Sequence, residues 1–208
     1  TTVAAMSAAG VGGYLSKTIN FVFAESGTFV APFSGKMVVQ AIGGGGGGAT
    51  ARVQTPDEFA DAAGGAAGGY SAKTVTVTAG DTYTVTAGAR GIQASATWVI
   101  GSSLTIQAGG NGGTTTVTGP NSFSISATGG GGGGIASGGA TSQTASSGAA
   151  GSGSGGTINT TGGTSSTSGL TRQGSGWMRA SFGASIGIVQ GSAGANASLE
   201  MQFQGGNF

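Results

Sequence analysis

The chain has 208 residues, of which 48 are glycine and none is cysteine or histidine, and its formal net charge is +1. Without cysteine there is neither a disulfide framework nor a thiolate metal site, and the commonest general base and the thiol nucleophile are both missing. The seven basic residues are scattered singly, so the sequence shows no basic patch for nucleic acid. We therefore expect a protein that is not an enzyme and has no cofactor, no metal and no nucleic-acid partner. A glycosidase stays formally open because two carboxylates suffice for that chemistry.

The start of the chain shows no basic region followed by an apolar core, and no long apolar span occurs anywhere. We therefore expect neither an ordinary signal peptide nor membrane insertion.

The glycine content is about three times the average share of roughly 7%. Each glycine in an ordered element costs roughly 0.5–1 kcal/mol relative to alanine. An ordered chain of this composition needs dense backbone hydrogen bonding, close backbone packing or a multi-chain assembly to offset that cost.

Alternating apolar residues predict short β-strands along most of the chain. Residues 17–23, 28–30 and 36–42 are the first of these, and the third enters a run of six glycines at 43–48. A strand at 123–128 enters a second six-glycine run at 129–134. Each glycine run is either a polyproline-II segment that packs laterally on others or a tight loop, and the proportions favour a β-sandwich with glycine runs packed over its ends.

Two hairpins are predicted from turn residues between alternating runs. Residues 73–78 and 82–87 are joined by 79–81, with their threonines facing outward. Residues 114–118 and 122–128 are joined by a Gly-Pro-Asn turn. The outward threonines could match an ice lattice or a sugar, but they are also typical of the solvent face of any strand.

Residues 55–65 give the one helical pattern. Thr55 can cap, Pro56 suits the first turn, and Asp57 and Glu58 follow it. Together with Asp61, these carboxylates could bind a cation, although the rules for a helix start already account for them.

The last third of the chain begins with a stretch of low complexity. Residues 138–169 are mostly Gly, Ser, Thr and Ala, which in an isolated chain predicts linker or disorder. Strands are then predicted at 177–182, 186–190 and 197–203. The organisation we predict is an N-terminal arm at 1–16 and one glycine-rich β domain at 17–208. Its fold class is all-β: a sandwich with polyproline-II-like glycine segments over its ends, and one short helix.

Taken as an ordered set, these motifs resemble the glycine-rich domain of bacteriophage tail and tail-fibre proteins. The resemblance covers about residues 21–208, and it follows the order TFVAPFSGKMVVQAIGGGGGG, GGYSAKTVTVTAGDTYTVTAG, GGNGGTTTVTGPNSFSISATGGGGGG and a closing ANASLEMQF. The central run with its Gly-Gly-Tyr70 start is the most specific element. The sequence departs from the family pattern at 50–63 and 93–104.

The resemblance implies a virion protein of the tail fibre, tail tip or baseplate that binds the host bacterial surface as an adhesin. Its implied partners are other phage tail subunits and a receptor, either a saccharide or an outer-membrane protein. The implied location is the virion, and the protein is extracellular after release. A homo-oligomer is expected, with a trimer by analogy only.

Trp98, Trp177, Tyr70 and Phe59 are the aromatic candidates for receptor binding by saccharide stacking. For each, packing in a core or against another subunit is the alternative. Two other functions stay open for the whole chain. One is a purely structural assembly subunit without receptor contact. The other is an ice-binding or secreted glycine-rich protein. The chain lacks a strict Gly-x-x repeat over its whole length, and this argues against that function.

Overall fold

A computed structural model describes residues 18–53, 59–94, 104–138, 142–164, 169–171, 178–180 and 199–205. All the regular secondary structure in these ranges is β-strand, which confirms the all-β prediction. In chain order the strands are β1 (Thr18–Phe23), β2 (Gly27–Val30), β3 (Gly35–Ile42), β4 (Thr50–Val53), β5 (Phe59–Ala62), β6 (Tyr70–Val77), β7 (Thr82–Thr86), β8 (Leu104–Gln107), β9 (Thr115–Gly119), β10 (Phe123–Ala127), β11 (Ile135–Gly138), β12 (Ser142–Thr144), β13 (Gly153–Ser154), β14 (Ile158–Thr160), β15 (Gly169–Thr171), β16 (Met178–Ala180) and β17 (Leu199–Gly205).

Two five-stranded antiparallel sheets form a sandwich. Their strand orders are β1-β17-β3-β6-β14 and β13-β10-β9-β7-β2. Alternate residues of the strands point into the space between the sheets, so Met37 and Val39 of β3 lie in one core with Val85, Val117 and Ile125 of the second sheet. All five side chains are at most 1% exposed. Burying each one stabilises the fold by about 1.5–3 kcal/mol.

Aromatic rings and a β-bridge close the two sides of the sandwich. At one side, the rings of Phe21 in β1 and Phe29 in β2 lie 4.9 Å apart. At the other side, Ser152 and Thr161 form an antiparallel bridge beside β13 and β14. Both outer edges of each sheet are thereby held to the opposite sheet.

Six extended segments of seven residues leave or enter the strands at one end of the sandwich. We number them one to six in chain order: 43–49, 63–69, 88–94, 108–114, 128–134 and 145–151. Neighbouring segments are hydrogen-bonded at every third residue: Gly43 N–H donates to the Gly69 carbonyl (2.9 Å), and Gly46 N–H donates to Ala66 (2.8 Å). A repeat of three is that of the polyproline-II helix. The glycine runs are therefore laterally packed segments and not tight loops.

The hydrogen bonds arrange the segments in two layers of three. Segments three, one and two form the first layer, and segments four, five and six form the second. The hexaglycine segments one and five occupy the two middle positions, and each is bonded to four others. Thr115 fixes the start of this bundle to β9: its buried hydroxyl donates to the Ile42 carbonyl (2.7 Å) and accepts from Gly88 N–H (3.0 Å).

Glycine is required at particular interior positions of the bundle because the backbones leave no room there for a side chain. A Cβ on Gly46 would meet the carbonyl oxygen of Gly131 in the opposite layer, and a Cβ on Gly130 would meet that of Ala66, each closer than 3.0 Å. By contrast, a Cβ on Gly48 would have nothing within 4 Å. The glycine excess is therefore a packing requirement at particular positions.

The hairpin predicted from residues 73–87 is wrong in its pairing, although both strands exist. β6 pairs with β3 and β14, whereas β7 pairs with β2 and β9, so the chain crosses from one sheet to the other between them. The crossing contains Gly80 at φ +91°. Gly80 N–H donates to the Ala31 carbonyl, and Ala31 N–H donates to the Asp81 carbonyl, both at 2.8 Å. The connection thus bonds to the end of β2 and not to a hairpin partner. The predicted β9–β10 hairpin is confirmed.

Two further predictions need correction. The predicted helix at 55–65 is not formed where the structure describes it, because Phe59–Ala62 is strand β5 and residues 63–65 begin segment two. Thr55, Pro56, Asp57 and Glu58 lie outside the described residues. The low-complexity stretch is not linker where described, since residues 142–164 form β12, segment six, β13 and β14. Pairing with neighbouring segments supplies the backbone partners that an isolated chain lacks.

We expect Gly46→Ala to lower the free energy of unfolding by roughly 1–3 kcal/mol or more, because the new methyl group forces the two layers apart. The matched control is Gly48→Ala in the same glycine run. It should be neutral or stabilise the fold by up to about 1 kcal/mol, since alanine restricts only the unfolded chain there. Thermal unfolding of both variants measures the difference, and equal melting temperatures would contradict the packing requirement.

Stability should also fall at alkaline pH because of Tyr83. Burial, and secondarily the charge of Asp81, raise the pKa of Tyr83 above its ordinary value of 10.0. The folded state then holds the Tyr83 proton more tightly than the unfolded state does. The stabilisation that Tyr83 contributes is therefore complete below pH 10 and is lost as the pH rises through the raised pKa. Tyr83→Phe should remove this part of the pH dependence in melting curves between pH 8 and pH 12. If the variant lost as much stability at alkaline pH as the unaltered chain, groups other than Tyr83 would be responsible.

Candidate binding site

A groove of about 400 Å³ runs along the outer face of the second bundle layer. Segment five forms its floor through residues 128–132. Segment four forms one wall through Asn111, Gly112 and Thr114, and segment six forms the other wall through residues 147–150. The groove exists because the floor consists almost entirely of glycine, so its surface is backbone.

The floor presents backbone polar groups at a spacing of three residues. Within the part of the chain that the structure describes, neither the N–H nor the carbonyl of Gly129 has a protein hydrogen-bond partner, and the same holds for the Gly132 carbonyl. The N–H of Gly132 is different, because it donates to the side-chain Oδ1 of Asn111 (2.9 Å). Asn111 therefore places an amide oxygen where a neighbouring segment would otherwise supply a carbonyl.

The end of the groove nearest the sandwich is fixed by Thr128 and Ser152. The hydroxyl of Thr128 accepts from Ser152 N–H (2.7 Å), and the backbone N–H of Thr128 donates to the Ser152 carbonyl (2.8 Å). These bonds hold segments five and six together at the point where both meet the sandwich. The position of the segment-six wall therefore does not depend on a bound ligand.

Among the residues that the structure describes, no charged side chain lines the groove. The described residues also contain no cluster of three or more groups suited to a metal ion. Over the same residues, no helix is long and apolar enough to cross a membrane. The groove offers hydrogen bonds and small apolar surfaces, which suit an uncharged ligand.

A second candidate surface lies at the end of the bundle opposite the sandwich. Five of the six segments begin or end there on a strand: β4, β5, β8, β11 or β12. These strands form small sheets, with β4 paired to β8, β5 between β11 and β16, and β12 paired to β15. We call this group of strands the far end of the bundle.

The structure places two of the four aromatic residues that the sequence predicted. Phe59 is the first residue of β5 at the far end, opposite Gly138. Tyr70 begins β6 and is only 6% exposed, packed near Ala67, Ala72 and Ile42. Its hydroxyl donates to Oε1 of Gln40 (2.9 Å), so its ring is a core element with no open face for a sugar. Trp98 and Trp177 lie outside the described residues.

Asn111 is a site residue that the sequence analysis missed. Its signal was visible, because it is the single larger polar residue within the Gly-Gly-Asn-Gly-Gly run of residues 109–113. Its role depends on which segment lies beside segment four, and that neighbour is Gly132, 21 residues further along the chain.

Comparison with protein-family models gives a match to a family described as "Glycine-rich domain", over residues 23–207. The match covers most of the chain, including the sandwich, the bundle and the far end. A comparison with curated proteins finds no match.

Replacing Asn111 should weaken the protection of one amide. Asn111→Ala removes the acceptor of Gly132 N–H, and a hydrogen bond contributes about 0.5–1.5 kcal/mol, so hydrogen exchange at Gly132 should accelerate roughly twofold to tenfold. Asn111→Asp keeps an acceptor oxygen and should retain the protection. The N–H of Gly129, which has no acceptor among the described residues, should exchange fast in all three proteins and serves as the internal reference. Unchanged exchange at Gly132 in Asn111→Ala would contradict the assigned bond.

Proposed function

The chain belongs to the glycine-rich domain family, and we propose that it is a bacteriophage virion protein of the tail fibre, tail tip or baseplate. In this role it attaches the virus to the host bacterial surface by non-covalent binding to a receptor, a saccharide or an outer-membrane protein. It acts without catalysis and without a cofactor. Its other partners are tail subunits, and it works as part of an oligomer.

The observation that carries this proposal is the bundle between the sandwich and the far end. Six segments, bonded to one another at every third residue, connect the sandwich core to a group of short strands. Lateral bonds in both layers make the bundle a stiff support. Binding residues are usually placed on connections that such a support positions, so the far end is where we place receptor contact.

The sequence resemblance supports the same proposal independently of the packing. The order of strand, polyglycine, strand pair and second polyglycine is that of the glycine-rich domain in phage tail and tail-fibre proteins. Within this proposal, Trp98, Trp177 and Phe59 stay the predicted aromatic contacts. Tyr70 is not used, because its ring is buried.

The test is competition between the purified chain and the virus that carries it for adsorption to host cells. We expect the chain to slow adsorption, and Trp98→Ala to raise the concentration for half-inhibition by roughly twofold to tenfold, the value of one lost aromatic contact. The matched control is Val30→Ala, since Val30 is 56% exposed on β2 of the sandwich, away from the far end. This control should compete like the unaltered chain. Failure to compete on every host strain that the virus infects would rule out the receptor role.

The second candidate is a structural assembly subunit that has no receptor contact. The low net charge of +1 favours self-association. The backbone groups of the groove that have no partner among the described residues are suited to another protein chain. This role predicts that virus lacking the protein fails to form complete particles. The receptor role predicts complete particles that do not adsorb, so electron microscopy of the deletion virus separates the two.

A further inference from the structure

The groove on the second bundle layer continues the lattice of the bundle itself. Segment five is bonded to segments one, two, four and six, and its remaining side faces the groove. On that side Gly129 and Gly132 are three residues apart, the same repeat at which every other side of segment five is bonded. The vacant side therefore matches the sides that already hold polyproline-II segments.

We propose that the groove binds a glycine-rich polyproline-II segment supplied by another protein chain, as a seventh member of the bundle. The segment would donate its N–H groups to the carbonyls of Gly129 and Gly132, which have no partner among the described residues, because each neighbouring pair of segments is bonded in one direction only. On the N–H side of the same floor Asn111 already takes the place of a neighbouring segment, because its amide oxygen receives Gly132 N–H at 2.9 Å, within the range of 2.6–3.0 Å found between segments. This proposal goes beyond receptor binding and does not depend on it.

The shape and charge of the groove define the occupant. The floor of five residues spans roughly 15 Å at about 3.1 Å per residue in polyproline-II geometry, so it matches about five residues of a bound segment. In the described part of the chain, the walls carry small side chains, among them Ser147 and Ala150, and no charge. A segment that lies against the floor as closely as the neighbours of segment five needs glycine at every third position. It also needs backbone N–H groups, which proline lacks.

The occupant is a separate segment and not a second copy of the same face. The groove is a concave channel, so two such faces placed together would leave their channels unfilled. A single extended chain fills the channel and extends the established packing between segments. An uncharged segment also matches the uncharged lining.

The experiment is an NMR titration of the full chain with a synthetic peptide that copies residues 128–134 between pairs of lysines. We expect saturable shifts of the Gly129 and Gly132 amide signals at millimolar peptide. A control peptide with N-methylglycine in place of glycine has the same small residues but no N–H donors, and it should not bind.

Two variants locate the binding. Ala150→Trp fills the groove from its wall and should raise the dissociation constant at least about tenfold. Ala89→Trp places the same side chain on an exposed position of segment three, and it should leave binding unchanged. The chemical-shift dispersion of the NMR signals from core residues shows whether both variants fold.

Four results would overturn the proposal. The first is no shift of Gly129 at the highest soluble peptide concentration. The second is equal binding of the N-methylated peptide, and the third is peptide binding that Ala150→Trp leaves intact. The fourth is a Gly129 shift that depends on protein concentration alone or appears only with a host polysaccharide, which would assign the groove to a second copy or to a sugar.

Discussion

The structure depends on one constraint, the close approach of extended backbones in the bundle. Lateral hydrogen bonds of 2.6–3.0 Å between segments are possible only where no Cβ atom intervenes. Gly46 and Gly130 illustrate this from the two middle segments, since a side chain on either would meet a carbonyl of a neighbouring segment. Glycine lowers the stability of an isolated chain because it has more conformational freedom to lose. In this bundle the same residue allows the backbone groups that face a neighbouring segment to find partners, and the sandwich core of Val39, Val117 and Ile125 anchors the segments that meet there.

The bundle also determines how the strands pair. Segments run alternately away from the sandwich and back to it, so β3 is joined to β6, β7 to β9 and β10 to β13 through the far end. The neighbours of a strand are therefore mostly distant in sequence: β3 lies between β6 and β17, and β7 lies between β2 and β9. The connection from β6 to β7 does not pass through the far end, yet it joins the two sheets instead of forming a hairpin. The sheet to which each connection leads therefore decides which strands pair.

Much of the fold follows from local sequence, and the part that does not is non-local. Alternation located β1, β3, β9, β10 and β17, and the Gly-Pro-Asn turn identified the one confirmed hairpin. The two hexaglycine segments were recognisable by composition. Segments three and six were not, because their signal is a spacing: Gly88, Gly91 and Ala94 are buried at every third residue, while the positions between them carry Arg90 and Ile92. The predicted helix failed at Phe59–Ala62 for a related reason, since pairing with β11 and β16 outweighs a local capping pattern.

The two binding proposals use separate parts of the molecule, and the physical basis differs between them. The far end is built from short strands at the limit of a stiff support, and in the proposed role these strands present the connections that contact a receptor. The groove lies along the side of that support, and its polar surface is backbone with a repeat of three. Backbone of this kind distinguishes poorly between receptors but is well matched to another extended chain. A change in the groove should therefore affect assembly without affecting adsorption, and a change at the far end should do the reverse.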